Sequence, residues 1–410
     1  MTLPFNLRLP MKEWTDNEQC FVVGAHAFLL RVSSLFGMAP LRFKPHQNGY
    51  IVSLSIHMCI YSYIMVTTLV IITFYGIISE MNLGITPFLH MSSHLSRAMS
   101  CCDISILLIL GCSGVYGAPR RMRNMIKFMT TIASIDKEIG TQYSYRRERN
   151  LCAGFIFFMI VLTAMVLDDI FFSTHQAGST DREWNLIFHY LGFYLLWYFA
   201  TILEVQFAFT AMMVHARFKA VNRVLYLTAK KLSEPFRSGS IHQLPPSDAL
   251  QRVAMIHSKL CDVIHHLEDS YSICLVIILV STLFHLVITP YYAIFEINVR
   301  VFGNLSHFII LESMWYILHL LRLIVVVEPC RYTTVEGYKT ERIVCRMMTV
   351  TPTTGTLASR LELFSRQLML QSVCYKPMGA CTLDRPLIVS VLGSVTTYLV
   401  MLVQFQKYES

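Results

Sequence analysis

The sequence predicts an all-α, polytopic membrane protein: seven transmembrane helices, a cytoplasmic N-terminus, an external C-terminus, and helices extended into the cytoplasm. Three observations carry this. Of the 410 residues 54% are hydrophobic and only 15% charged, far from an ordinary soluble domain. Apolar windows of the length that crosses a bilayer core fall near 51–78, 87–117, 151–172, 186–214, 272–299, 306–328 and 386–406. Lys and Arg are crowded into alternate connections, and basic residues are retained on the cytoplasmic face during insertion.

Along the chain, residues 1–50 read as a cytoplasmic and interfacial segment. Cys20–Met38 is apolar, but it carries His26 and Arg31 near its middle, which suits an amphipathic helix in the interface better than a span. It lacks the basic start and small-residue cleavage site of a signal peptide. After the second span come Arg120, Arg121, Arg123, Lys127, Lys137, Arg146, Arg147 and Arg149, and comparably basic segments follow the fourth and sixth. The connections after spans one, three and five offer only Arg182 and Arg300. An internal N-terminus argues against a G-protein-coupled receptor.

Residues 51–328 form a six-span bundle whose cytoplasmic connections keep a helical pattern. Arg217–Leu232 continues the fourth span, Ser233–Ser247 with Pro235, Gly239, Pro245 and Pro246 breaks it, and Asp248–Asp269 resumes before the fifth. Residues 329–385 are a cytoplasmic connection. Within it, a break at Thr349–Thr356 precedes an amphipathic stretch, Leu357–Gln371, expected to pack on the inward extensions and serve subunit assembly. Residues 386–410 hold the seventh span and a short external tail, with Pro377 and Pro386 framing the turn into it.

The twelve cysteines fall in spans or cytoplasmic segments, where thiols stay reduced, so no structural disulfide is expected. Cys374 and Cys381 lack zinc-site spacing. Asn304-Leu305-Ser306, the one glycosylation sequon, lies too near the bilayer to be modified. Glycine-rich phosphate loops, His-Glu-x-x-His pairs and Gly-x-Ser-x-Gly elbows are absent. The reading is no enzyme, no cofactor, no metal; the basic loops are accounted for by orientation, so nucleic acid is not implied.

Polar residues inside the spans are costly and cluster by depth. The second span offers His90, His94 and Arg97 on one face; the fourth Tyr190, Tyr194, Trp197 and Thr201, with Glu204 deeper. In the fifth, His285, Thr289, Tyr292 and Glu296 share a face beside Tyr291; in the sixth, Glu312, Trp315, His319 and Arg322 do so. Carboxylates, imidazoles and aromatic faces at one depth suit a small polyhydroxylated ligand, the alternative being interhelical hydrogen bonding. The ligand candidates are Tyr291, Glu312, Trp315, His319, Thr289, His94, Tyr194 and Trp197. Arg97 with Asp103, and Arg322 with Glu328, are expected to form ion pairs or to snorkel.

In the last span Ser390, Ser394, Thr397, Met401 and Gln404 share one face, away from the leucines and valines. Such a stripe either lines a pore or forms a helix–helix seam. A secondary transporter would also carry a polar site amid its spans, but usually with internal repeats, and no convincing repeat relates the two halves.

The ending TTYLVMLVQFQ resembles the Thr-Tyr, five apolar, Gln-Phe signature of insect gustatory receptors, and CTLDRPLIVSVLGSVTTYL ahead of it resembles their final span. FHLVITPYYAIFE, ESMWYILHLLRLIVVVEPC and SSLFGMAPLRF look most like the fructose-receptor branch. The resemblance implies a plasma-membrane, ligand-gated cation channel of four identical subunits, opened by a small-molecule tastant such as a sugar. Carried over, the gate falls on Gln404 and Phe405, with Thr397 and Met401 on the pore-lining face, and the pocket on Tyr291 and Trp315. Glu312 stands where the branch resembles glutamine, so a bitter compound or another polyol stays open as the ligand.

Overall fold

The computed structural model describes residues 19–46, 49–82, 94–140, 146–177, 180–233, 245–299, 305–352 and 354–409. Side chains at 80–82, 94–97, 147, 173–177, 180–190, 233, 295–299 and 406–409 are outside the description. A short strand β1 (Gln19–Val22) precedes α1 (Gly24–Leu35), followed by β2 (Leu41–His46) and β3 (Gly49–Leu54). Then come α2 (Ile56–Asn82), α3 (His94–Tyr116), α4 (Ala118–Ile139), α5 (Arg146–Ala177), α6 (Thr180–Ser233), α7 (Pro246–Val299) and α8 (Leu305–Val350). After α9 (Thr356–Leu370) a 3₁₀ turn at Pro377–Gly379 leads into α10 (Arg385–Glu409).

Seven of these helices, α2, α3, α5, α6, α7, α8 and α10, are long and apolar enough to cross a membrane, matching the windows read from the sequence. The protein is a multi-pass membrane protein. Helix α6 is the central post: 83% of its most apolar window is buried, against 6% for α10. It packs on α8, α7, α2, α3 and α5, while α10 lies outside, mainly against α7 and α8. Gly192 lets α2 come close to α6; a Cβ there would meet the Thr73 backbone nitrogen at 3.1 Å.

The N-terminal region departs from the sequence reading by adding a sheet. β1 and β2 both pair antiparallel with β3, whose Gly49–Leu54 overlaps the start of the first apolar window. Pro45, which cannot donate to a ladder, sits on edge strand β2. The apolar stretch Cys20–Met38 becomes β1 and α1, a helix of 12 residues, too short to span. Its Ala27, Leu29 and Leu30 are buried, and Arg31 lies 3.8 Å from the centre of the Tyr50 ring. The His26 ring lies tilted against Phe209 at 5.4 Å, and burial, helped by the nearby Arg217 charge, lowers its pKa to about 3.

At the basic end of the bundle, buried polar groups are paired across helices. Arg217 of α6 donates to both oxygens of Asp136 on α4, at 3.0 and 2.8 Å, and to Glu148 on α5 at 2.8 Å. Arg121 of α4 donates to the carbonyls of Met38 and Gly114, which ties the N-terminal region to the α3–α4 corner. Asn222 of α6 bonds the backbone carbonyl and side chain of Glu336 on α8, and Thr340 donates to Asn222 at 2.6 Å. Helix α9 buries Leu361, Phe364 and Leu368 against α7 and α8 and leaves Leu363, Met369 and Leu370 exposed. All twelve cysteines are free thiols.

One ion pair differs from expectation, and the other falls partly outside the described residues. Arg322 pairs with Glu204 on α6, not with Glu328, which is held instead by Arg385 and Arg331. Asp103 on α3 meets His285 on α7 at 2.5 Å, and the side chain of Arg97 lies outside the described residues. In both expected pairs the partners are six residues apart on one helix, a spacing that turns them to different faces.

Candidate functional site

Four rings from three helices form a box between α6, α7 and α8. Trp197 is the hub, with ring centres 4.7 Å from His285, 5.4 Å from Trp315 and 5.2 Å from His319. The two imidazoles stack at 4.7 Å, 28° from parallel, and Trp315 stacks over His319 at 6.0 Å. The arrangement follows from helical spacing: Trp315, His319 and Arg322 repeat at four and three residues and face α6 together. Trp197 is 3% and His319 2% exposed, so the box is desolvated and its polar contacts count fully.

Charges fix the box from below and behind. Arg322 Nε donates to both Glu204 oxygens, at 3.0 and 3.1 Å, and Nη2 donates at 2.5 Å, while its guanidinium lies 4.8 Å from the Trp197 ring centre. His285 Nδ1 lies 2.5 Å from the Ser281 carbonyl, which can only accept, so that nitrogen carries the proton. Its Nε2 lies 2.5 Å from Asp103 Oδ1 without the alignment of a hydrogen bond. His319 Nδ1 and Arg322 Nη1 are buried with no hydrogen-bond partner among the described residues.

The structure brings Trp197, Trp315 and His319 together as the sequence reading groups them. Tyr291, 1% exposed, lies elsewhere on α7, in a small cluster with Met99 and Ile288 against which Leu399 and Leu402 of α10 pack. Thr289 is buried and Glu312 half-buried, one turn before Trp315. Tyr194 points away from the rings to donate to Asp169 on α5 at 2.9 Å. His94 begins α3, and its side chain, like those of Tyr190 and Glu296, lies outside the described residues. The residues missing from the candidate list are His285, Asp103, Arg322 and Glu204. The first already shares a face with Thr289, but its link to α3 crosses 182 positions and leaves no local signal.

On α10 the buried side is Leu387, Ile388, Val391, Val395 and Leu402, packed on Leu286, Val287, Leu323 and Val327. Ser390, Thr397, Met401, Gln404 and Phe405 are exposed and Ser394 half-buried, so among the described residues the polar stripe forms no seam with another helix of this chain. Among the described residues no cluster of three or more His, Cys, Asp or Glu could hold a metal ion.

Residues 26–409 match the family 7tm Chemosensory receptor. The chain is 26% identical to the Gustatory receptor for sugar taste 43a of Drosophila melanogaster, over 92% of this chain and 96% of that protein. It is 24% identical to the Gustatory and pheromone receptor 32a of the same fly, over 72% and 66%. The insect olfactory receptor OR5 of Machilis hrabei, solved in complex with eugenol, has the same fold: TM-score 0.63 at 10% identity, covering 93% of this chain and 97% of that one. A match spanning nearly the whole chain leads to one statement: the protein belongs to the 7tm chemosensory receptor family.

Proposed function

We propose that this receptor is a gustatory, ligand-gated, non-selective cation channel, opened by a small sugar such as fructose and built from four identical subunits. The observation that carries the ligand class is the desolvated ring box. Trp197 and Trp315 offer faces to the C–H edges of a sugar ring, while His319 Nδ1 and Arg322 Nη1 are buried polar atoms that hydroxyl oxygens would satisfy. The similarity to a receptor named for sugar taste supports the same class. Glu312 favours a second reading: an ionised carboxylate only accepts, so a ligand rich in donors, a different polyol or a bitter compound bearing hydroxyl or amine groups, would suit it better than fructose.

The channel reading rests on α10. Four copies of its exposed stripe around one axis would place Thr397, Met401 and Gln404 toward ions and Phe405 at the constriction. Tyr291 joins the ligand-bearing helix α7 to Leu399 and Leu402, which offers a route from pocket to pore. The exposed side of α9, with Leu363, Met369 and Leu370, is the assembly surface in this reading.

Expression of this chain alone with a panel of sugars and bitter compounds, reading current and calcium entry, tests the proposal; a fructose-evoked cation current is the expected result. Trp315→Ala removes a stacking face and Glu312→Ala a charge-assisted hydrogen bond, each about 1–3 kcal/mol, so sensitivity should fall about ten-fold or more with surface expression intact. Unchanged dose–response curves in both variants would move the pocket elsewhere.

The basic end is placed in the cytoplasm in this reading. An epitope tag after Ser410 is expected to stain on intact cells, and one before Met1 only after permeabilisation. The reverse pattern would put Phe405 at the inner mouth instead of the outer one.

A further inference from the structure

We propose that the groove between α1 and α5 binds an anionic phospholipid, with one acyl chain along the groove and the head group on Arg149. The groove holds about 500 Å³ and is lined by Phe28 and Val32 of α1 and by Phe155, Met159, Ile160 and Leu167 of α5 among others. Thr163 is its one polar lining residue, and its hydroxyl is engaged twice: it donates to the Met159 carbonyl at 2.8 Å and accepts from Tyr198 at 3.0 Å. The cavity therefore offers nothing to a polar ligand and suits a hydrocarbon chain.

Length and charge narrow the occupant further. From Phe155 to Leu167 the groove follows α5 for about 18 Å, close to the hydrocarbon depth of one leaflet, about 15 Å. Arg149 is exposed and lies seven residues before Ile156, which puts it on the same helix face about 10 Å beyond the groove's end. Arg146, one turn earlier, continues that stripe. A cation at head-group distance from an apolar channel is complementary to an anionic lipid, and such lipids populate the cytoplasmic leaflet. The leaflet assignment rests on the orientation proposed above; the site itself does not.

The groove backs onto the ligand box. Tyr198, the neighbour of Trp197, bonds Thr163 in the groove wall, and Phe36, just beyond α1, stacks on Tyr198 with ring centres 6.2 Å apart. An acyl chain there would hold α1 against α5 and steady the wall behind Trp197.

The test is lipid retention by the purified full chain. Protein exchanged into bilayers of equal parts phosphatidylinositol and phosphatidylcholine is re-extracted in detergent and its bound lipid counted by mass spectrometry. Wild type should retain phosphatidylinositol over phosphatidylcholine by about five-fold, a preference that Arg149→Gln removes and Arg149→Lys keeps. Ala164→Trp, which fills the groove, should lower retention of both lipids while the protein stays monodisperse. Equal retention by wild type and A164W overturns the site, and equal retention of the two lipids by wild type overturns the head-group assignment. Disulfide-linked dimers of Ile160→Cys in membranes would assign the groove to a second copy of the chain and overturn the proposal. Detergent extraction has no leaflets, so a reversed tag result would change the leaflet and leave the retention pattern standing.

Discussion

Arg322→Ala is expected to remove most of the receptor from the cell surface. The guanidinium and the Glu204 carboxylate are each 1% exposed, and they meet through three short contacts at the level of the ring box. Truncating one partner leaves the other charge buried and unpaired, which costs about 3–5 kcal/mol, a large share of a stability of about 5–15 kcal/mol. Surface biotinylation and thermal unfolding in detergent measure the loss. Replacing both partners, Glu204→Leu with Arg322→Met, should restore folding, because packed apolar groups can substitute for a buried pair at little cost. The double variant then exposes a second role. Its Trp197 has lost the cation 4.8 Å from its ring, and ligand sensitivity should stay depressed although the protein reaches the surface. Normal surface levels of the single variant would mean that this pair does not hold α6 to α8.

Phe405→Ala is expected to conduct without ligand. Phe405 is 66% exposed and sits beside Gln404 on the side of α10 that the rest of the subunit leaves uncovered. Rings from four subunits would close a narrow apolar constriction by excluding water, and alanine is too small to do so. Gln404 substitutions should change conductance or permeability ratios more than apparent affinity, since in the proposed pore the amide would face ions rather than ligand. Whole-cell recording before and after ligand separates the outcomes. If Phe405 only anchors the helix end among head groups, where aromatics often sit, F405A will lower surface expression and leave the residual current ligand-dependent. That result would end the gate assignment.

What was legible in the sequence is what has a period or a length. The spans were legible because each needs some twenty apolar residues, and the helical extensions of the fourth and fifth spans because Arg217–Leu232 and Asp248–Asp269 keep a helical rhythm beyond the apolar windows. The grouping of Trp315 with His319 followed from helical spacing, and that of both with Trp197 from depth alone. Strands of four to six residues were not legible: β3 dissolved into the first apolar window, and β2 carries a proline that argues against a strand until its edge position is known. Nor were the long-range pairs. Glu204 to Arg322 and Asp103 to His285 depend on how four helices lean together, whereas Arg322 and Glu328, six residues apart on one helix, lie on different faces.

The three helices that build the box are not mechanically alike. α6 runs through 54 residues without a proline, whereas α7 and α8 each carry one inside, Pro290 and Pro329. A proline lacks the N–H that would bond the carbonyl four residues back, and its ring crowds that carbonyl, so each helix has one weakened joint along an otherwise stiff rod. Pro290 adjoins Tyr291, where α10 touches, and Pro329 falls between the Arg322 and Thr333 contacts to α6. The molecule is thus a mast with two jointed arms. A displacement of the rings would bend α7 and α8 most easily at those elbows, and the first of them adjoins Tyr291, against whose cluster α10 packs.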